Sequence, residues 1–273
     1  MNRVNIVERN RRQLSHFLAR KRDENPELSR SKILSSAFLL NHYREIISLC
    51  INLGQTGKSN TNFELAAKHY TQIKIAEIGS AGGITSVMFP KVITTDMREC
   101  TGVSIVTSAS NLPFGDDSLD LVIAKDTLHH IPDVQRHFSE ISRILKVGGR
   151  AVYAEPNWNP ISKFVFQHLH PEPWDENVSE WNFDSLDPMF SNQALPMIIF
   201  KRDISKFYDL FPNLQIEVIS KPLAGLSFLL SGGVYKRSIL PDTLLGLIRR
   251  IENKSTTWMK IFGFVRIIVL TKH

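Results

Sequence analysis

Three groups of residues in this chain of 273 have the types and spacing to do chemistry. The first is Ala76-Glu77-Ile78-Gly79-Ser80-Ala81-Gly82-Gly83, an acid and a cluster of glycines closing an apolar run. Glycines there let a strand turn sharply into a helix and let backbone approach a ligand. The second is Asp96, 19 residues after Glu77 and at the end of the next apolar run. A carboxylate at the tip of a second strand can accept both hydroxyls of a ribose. The third is Lys125-Asp126-Thr127-Leu128-His129-His130, with Glu155 one strand further on. A histidine beside a carboxylate is suited to proton transfer near neutral pH.

Other chemistries fit less well. The glycine spacing is E-x-G-x-x-G-G, not the dinucleotide pattern G-x-G-x-x-G. Gly54-Gln55-Thr56-Gly57-Lys58-Ser59 resembles a phosphate loop but has Asn52 where the first glycine belongs. His129, His130 and His137 lack zinc-motif spacing, so no metal site is expected. Cys50 and Cys100 give neither a disulfide framework nor a metal pair, which fits a reducing cytoplasm.

The elements that must position these groups can be read from periodicity. Helical patterns cover residues 3–22, Ile33–Leu53 and Asn62–Tyr70, an N-terminal helical cap over residues 1–70. A domain over 71–273 follows, with a first half at 71–156, an insertion at 157–205 and C-terminal strands with a basic amphipathic insertion at 206–273. Strands are expected at Ile73–Ile78, Val92–Thr95, Val103–Thr107, Leu119–Ala124, Arg150–Ala154, Leu214–Ile219 and Phe264–Leu270. Helices are expected near Ile84–Phe89 and from Asp133 to Lys146, the latter capped by Asp133 and ended by Gly148-Gly149. Strands alternating with helices predict an α/β, Rossmann-like, doubly wound sheet of seven mostly parallel strands.

Composition is ordinary for a globular chain: 42% hydrophobic and 22% charged residues. The net charge of +6 is uneven, with an excess of six positive charges over residues 1–70, seven negative over 71–220 and seven positive over 221–273. The acidic middle makes nucleic acid an unfavoured partner despite the overall charge. The charged start argues against a signal peptide, and no apolar run is long enough to span a bilayer. A cytoplasmic protein is expected, with contact on the cytoplasmic membrane face through the basic C-terminal segment as a further expectation. Nothing in the sequence fixes an oligomeric state.

Taken in order, the segment from Ile73 to Pro156 resembles the class I S-adenosylmethionine (SAM)-dependent methyltransferases, in particular the ubiquinone/menaquinone-type domain. The resemblance implies that Glu77, Gly79, Ser80 and Gly83 lie under the cofactor SAM, that Asp96 binds its ribose and Met97 flanks its adenine. It further implies that Ala109 and Ser110 meet the adenine edge, and that Lys125 and Asp126 pass near the methionine end. Ser108 departs from the aspartate many members carry before the alanine. A looser similarity, through Asn192-Gln193-Ala194-Leu195-Pro196, Ile199-Phe200, Phe211-Pro212 and Leu229-Leu230-Ser231-Gly232-Gly233, is to methyltransferases of bacterial surface-polysaccharide biosynthesis. It implies O-methylation of a sugar or other small molecule, with a quinone or natural-product acceptor, or a non-catalytic binding subunit, as alternatives. Methyl transfer to oxygen profits from a base. His129 or His130 is the candidate base, and Glu155 the residue that orients the histidine or the acceptor. Trp158, Trp174 and Trp181 in the insertion are of a type that stacks on a sugar ring or a flat small molecule, or else forms the insertion's core.

Overall fold

The structure is a computed structural model, and it describes residues 26–170, 172–184, 190–233 and 237–273. The helix expected over 3–22 lies outside the described residues. Seven strands form one sheet in the order β3-β2-β1-β4-β5-β7-β6. They are β1 (Ile75–Ile78), β2 (Ile93–Asp96), β3 (Ile105–Val106), β4 (Leu119–Lys125), β5 (Leu145–Pro156), β6 (Leu214–Leu223) and β7 (Val265–Lys272). The first five pair in parallel, and β7 runs antiparallel to both neighbours. The sheet is the Rossmann-like, mostly parallel one that the pattern predicts.

Strands β1 and β4 read as near-continuous apolar runs because both faces of the sheet are covered. On one face lies the Val134–Ile144 helix, whose Phe138, Ile141 and Ile144 meet Val122, Ala151 and Tyr153. Asp133 caps it by accepting from the Arg136 N–H. On the other face lies the Ala37–Thr56 helix, whose Ile46, Ile47 and Cys50 pack with Leu121, Ile123 and Val152.

Three expectations shift in detail. The apolar helix expected from Ile33 is two helices, Pro26–Ser35 and Ala37–Thr56, because the Ser36 side chain caps the second by accepting from the Leu39 N–H. The third strand shrinks to Ile105–Val106. Gly148 and Gly149 do not end a helix. The helix stops at Ile144, β5 begins at Leu145, and the glycines form a bulge between the pairs Leu119–Leu145 and Leu121–Arg150. Gly148 takes φ +79°, which a bulge tolerates in glycine.

In this strand order the chain leaves β1 for β2 on one side and β4 on the other. That reversal opens a crevice at the carboxyl ends of β1 and β4, where open α/β sheets bind ligands. The glycine turn, Asp96, the Lys125–His130 run and Glu155 all stand at these carboxyl ends.

Candidate cofactor and acceptor site

A cavity of about 740 Å³ occupies this crevice. Glu77, Gly79, Ser80, Asp96, Met97, Ala109, Lys125, Asp126, His129 and His130 all line it. The turn after β1 is held by its own backbone. Ser80 N donates to Thr95 O at 2.9 Å, and Gly83 N to Ser80 O at 2.9 Å. Gly79 has φ +69°, and a Cβ there would meet the Thr127 side chain at 2.3 Å, so only glycine fits. Gly83 is not a wall residue. Its φ is +62°, and a Cβ would strike the backbone of Gly102 at 2.7 Å, so it serves the packing of the turn.

The carboxylates of this end differ in partners. Asp96 accepts from Ala81 N at 2.8 Å and from Arg98 N at 2.9 Å, which aims it along the turn. Glu77 accepts from the Thr85 hydroxyl at 2.7 Å through one oxygen, and its other oxygen has no partner. Burial pushes its carboxyl up to about 7. The Ser80 hydroxyl is likewise buried without a partner. Ser110 does not line the cavity, because its hydroxyl donates to Asp133 O at 3.0 Å. Ala109 is fixed from behind by His137, which bridges Ala109 O at 2.9 Å and the Tyr153 hydroxyl at 3.0 Å. Burial draws the His137 imidazole down to about 4, so it stays neutral.

At the other end the structure brings His129, His130 and Glu155 together. Glu155 is fully buried and does not reach the cavity. One oxygen accepts from Thr127 N and Leu128 N at 3.0 and 2.9 Å, and the other pairs with His129 Nδ1 at 2.6 Å. Two residues that the sequence reading gave no role complete the cluster. Glu172 Oε2 lies 3.3 Å from His129 Nε2 and 3.6 Å from His130 Nε2. The Gln193 amide lies 3.1 Å from His129 Nε2 and also donates to Glu172. Burial works against charge on His129, but Glu155 and Glu172 outweigh it and raise the imidazole to about 10. Burial opposes ionisation of Glu172 too, but His130 and His129 hold its carboxyl well below the usual range. Gln193 sits in the motif of the looser resemblance; Glu172 follows proline-rich sequence with no periodicity to flag it. His129, His130 and Glu172 also bring three ligand-type atoms within 4.8 Å of one another, but a protonated His129 has no lone pair to offer a cation.

The acceptor walls come from elsewhere in the chain. Val165, Phe166 and Leu169 face Phe228, Leu229, Leu230 and Ile239 across the cavity. The N-terminal Pro26–Ser35 helix roofs the glycine turn, with Arg30 donating to the Gly82 and Gly83 carbonyls and the Thr101 N–H donating to Glu27 at 2.7 Å. His42 also lines the cavity, buried against Phe228 with both ring nitrogens unpartnered. None of the insertion tryptophans does. Trp181 is core, Trp174 stacks on Phe166, and Trp158 lies under Arg266. Their flat faces are spent on protein, so the sugar-stacking expectation is not met by them.

Residues 77–153 match the family model described as "Methyltransferase domain". These residues thus carry a methyltransferase domain. Relatives of this methyltransferase domain include the "Uncharacterized methyltransferase YcgJ" of Bacillus subtilis, 27% identical over 54% of this chain and 65% of that protein. A Mycobacterium ulcerans phthiotriol/phenolphthiotriol dimycocerosates methyltransferase is 27% identical over 36% of this chain and 41% of its own length. The demethylmenaquinone methyltransferase of Thermobifida fusca is 37% identical over 27% of this chain and 28% of its own. The chain thus spans less than two thirds of these curated relatives. The solved YcgJ structure aligns with 77% of this chain and 97% of its own, at 20% identity and a TM-score of 0.43.

The cofactor of the domain is SAM, and the residues present fit it. The buried, unpartnered oxygens of Glu77 and Ser80 call for donors from a ligand. Asp96 also accepts from Arg98 Nε at 3.3 Å, and beyond its three donors it keeps a lone pair on Oδ2 for a hydroxyl.

Proposed function

We propose that this protein transfers a methyl group from SAM to a hydroxyl oxygen of an amphiphilic small molecule, a sugar unit on a lipid carrier being the first candidate. The observation that carries this reading is one continuous cavity with two different ends. Asp96 and Met97 stand at the cofactor end, and His130 and Glu172 stand with apolar walls at the other. Glu77, Ser80 and Asp96 would hold SAM, which when bound supplies an electrophilic methyl group. Lining up an acceptor lone pair is the main task left to the protein.

In this reading His130 takes the hydroxyl proton. Its ring is partly exposed to the cavity, its Nδ1 is fixed 3.2 Å from Phe190 O, and its Nε2 turns toward Glu172. His129, raised to about 10, is already protonated at neutral pH and cannot serve as the base. It acts instead as a buried cation that fixes Glu172 beside His130. Glu155 is a positioning residue that holds His129. An acceptor base of this kind contributes about 10²–10⁴-fold. His130→Ala is therefore expected to lower kcat by about that factor while SAM still binds. Turnover left intact in that variant would remove His130 from this role.

A quinone is the second acceptor reading. The apolar walls favour it, as does similarity to a relative whose name specifies demethylmenaquinone. A non-catalytic role is disfavoured by the intact residues at both ends of the cavity.

A further inference from the structure

The Asp242–Asn253 helix is built inside out. A surface helix normally turns its apolar stripe toward the core and its charges to water. Here Leu245 is buried together with Arg249 and Glu252. Arg249 pairs with Glu45 at 2.8 Å, and Glu252 accepts from the Ser227 N–H and hydroxyl. Leu244, Leu247 and Ile251, spaced three and four apart, face outward instead, Leu247 at 53% and Ile251 at 61% exposure. The next helix, Thr256–Phe262, buries Met259 and exposes Trp258 and Ile261. Beside it, the Pro160–His168 helix exposes Phe164, and Asn159 at its start bonds to Lys260 O at 3.3 Å.

Scattered exposed apolar side chains need no explanation. These fall on adjoining helices and reach the cavity. Ile239, 72% exposed, and Leu169 belong both to the cavity wall and to this apolar surface. The charge beside them has one sign. Among the described residues of 237–262, Arg237, Arg250, Lys254 and Lys260 are exposed. Glu252 is buried, and Asp242 accepts from the Ser36 hydroxyl and Phe38 N–H.

We propose that this face docks on an anionic lipid surface and presents the cavity mouth to an acceptor carried in that lipid. Outward leucine, isoleucine and tryptophan flanked by arginine and lysine are the make-up of helices that lie in a bilayer interface. A second copy of the chain is a poorer occupant, because a two-fold contact would set four exposed cations against the same four. The membrane-bound acceptor rests on the function proposed above; the docking itself does not.

The test is co-sedimentation of the full chain with phosphatidylcholine vesicles, with and without about a quarter phosphatidylglycerol. No cofactor or acceptor is added, so failure here leaves the methyl-transfer reading standing. Binding is expected only with the anionic lipid and is expected to weaken as salt rises. The double variant Leu247→Glu, Ile251→Glu should lose at least about tenfold in vesicle partition with an unchanged melting temperature. Arg250→Glu with Lys254→Glu should lower it as well. Absence of co-sedimentation even at low salt would overturn the proposal. So would variants that bind like the parent, or a stable dimer in light scattering that the Leu247→Glu, Ile251→Glu pair dissolves.

Discussion

Glu77 has one oxygen tied to Thr85 and one facing the cavity with no donor, and burial pushes its carboxyl up to about 7. In the folded chain it keeps its proton well above the ordinary carboxylate range, whereas the unfolded chain releases it there. Folding stability from this group is therefore greatest at low pH and declines as pH rises toward about 7. A donor from a bound ligand favours the ionised form, so SAM affinity should move the opposite way. Affinity is expected to climb by about tenfold across roughly pH 6 to 8, and Glu77→Gln should flatten the profile. A parent chain whose SAM affinity ignores pH, measured by calorimetry, would contradict this placement of Glu77. Gly79 stands beside it as a steric demand, since φ +69° and the Thr127 side chain leave no room for a Cβ.

The elements show why some of this site was legible in the sequence and some was not. The residues from Glu77 to Glu155 sit on strands and turns whose apolar runs and glycines carry local physical signals. Even there, Gly148-Gly149 reads as a helix stop and is a strand bulge, because both uses exploit the same positive φ. Glu172, the acceptor walls and the roof at Pro26 and Arg30 come from segments with no period tied to the site. Their meeting is a product of tertiary packing. Trp181 shows the same limit: its type is compatible with a sugar platform, yet it is buried among Phe207 and its neighbours with its N–H bonded to Asp203 at 2.8 Å. Trp181→Ala should thus act on stability, costing about 3–5 kcal/mol in denaturant unfolding. A variant as stable as the parent would show that the insertion is not packed as described.

Across the whole molecule, one crevice at the reversal of strand order gathers groups from distant parts of the chain. The sheet supplies the cofactor end, the 157–205 stretch supplies Glu172 and Gln193, and the C-terminal helices supply apolar walls and an outward apolar surface. No helix among the described residues is long and apolar enough to cross a membrane. The family match, residues 77–153, covers the cofactor end together with His129 and His130, whereas Glu172, Gln193 and the apolar walls lie beyond it. The central claim is that this crevice holds SAM through the glycine turn and Asp96. Isothermal titration of the full chain with SAM tests it most directly. The expected result is one site with a Kd of about 1–100 μM, lost in Gly79→Ala and in Asp96→Ala. A folded parent chain that gives no binding, or an Asp96→Ala variant that binds SAM as the parent does, would contradict it.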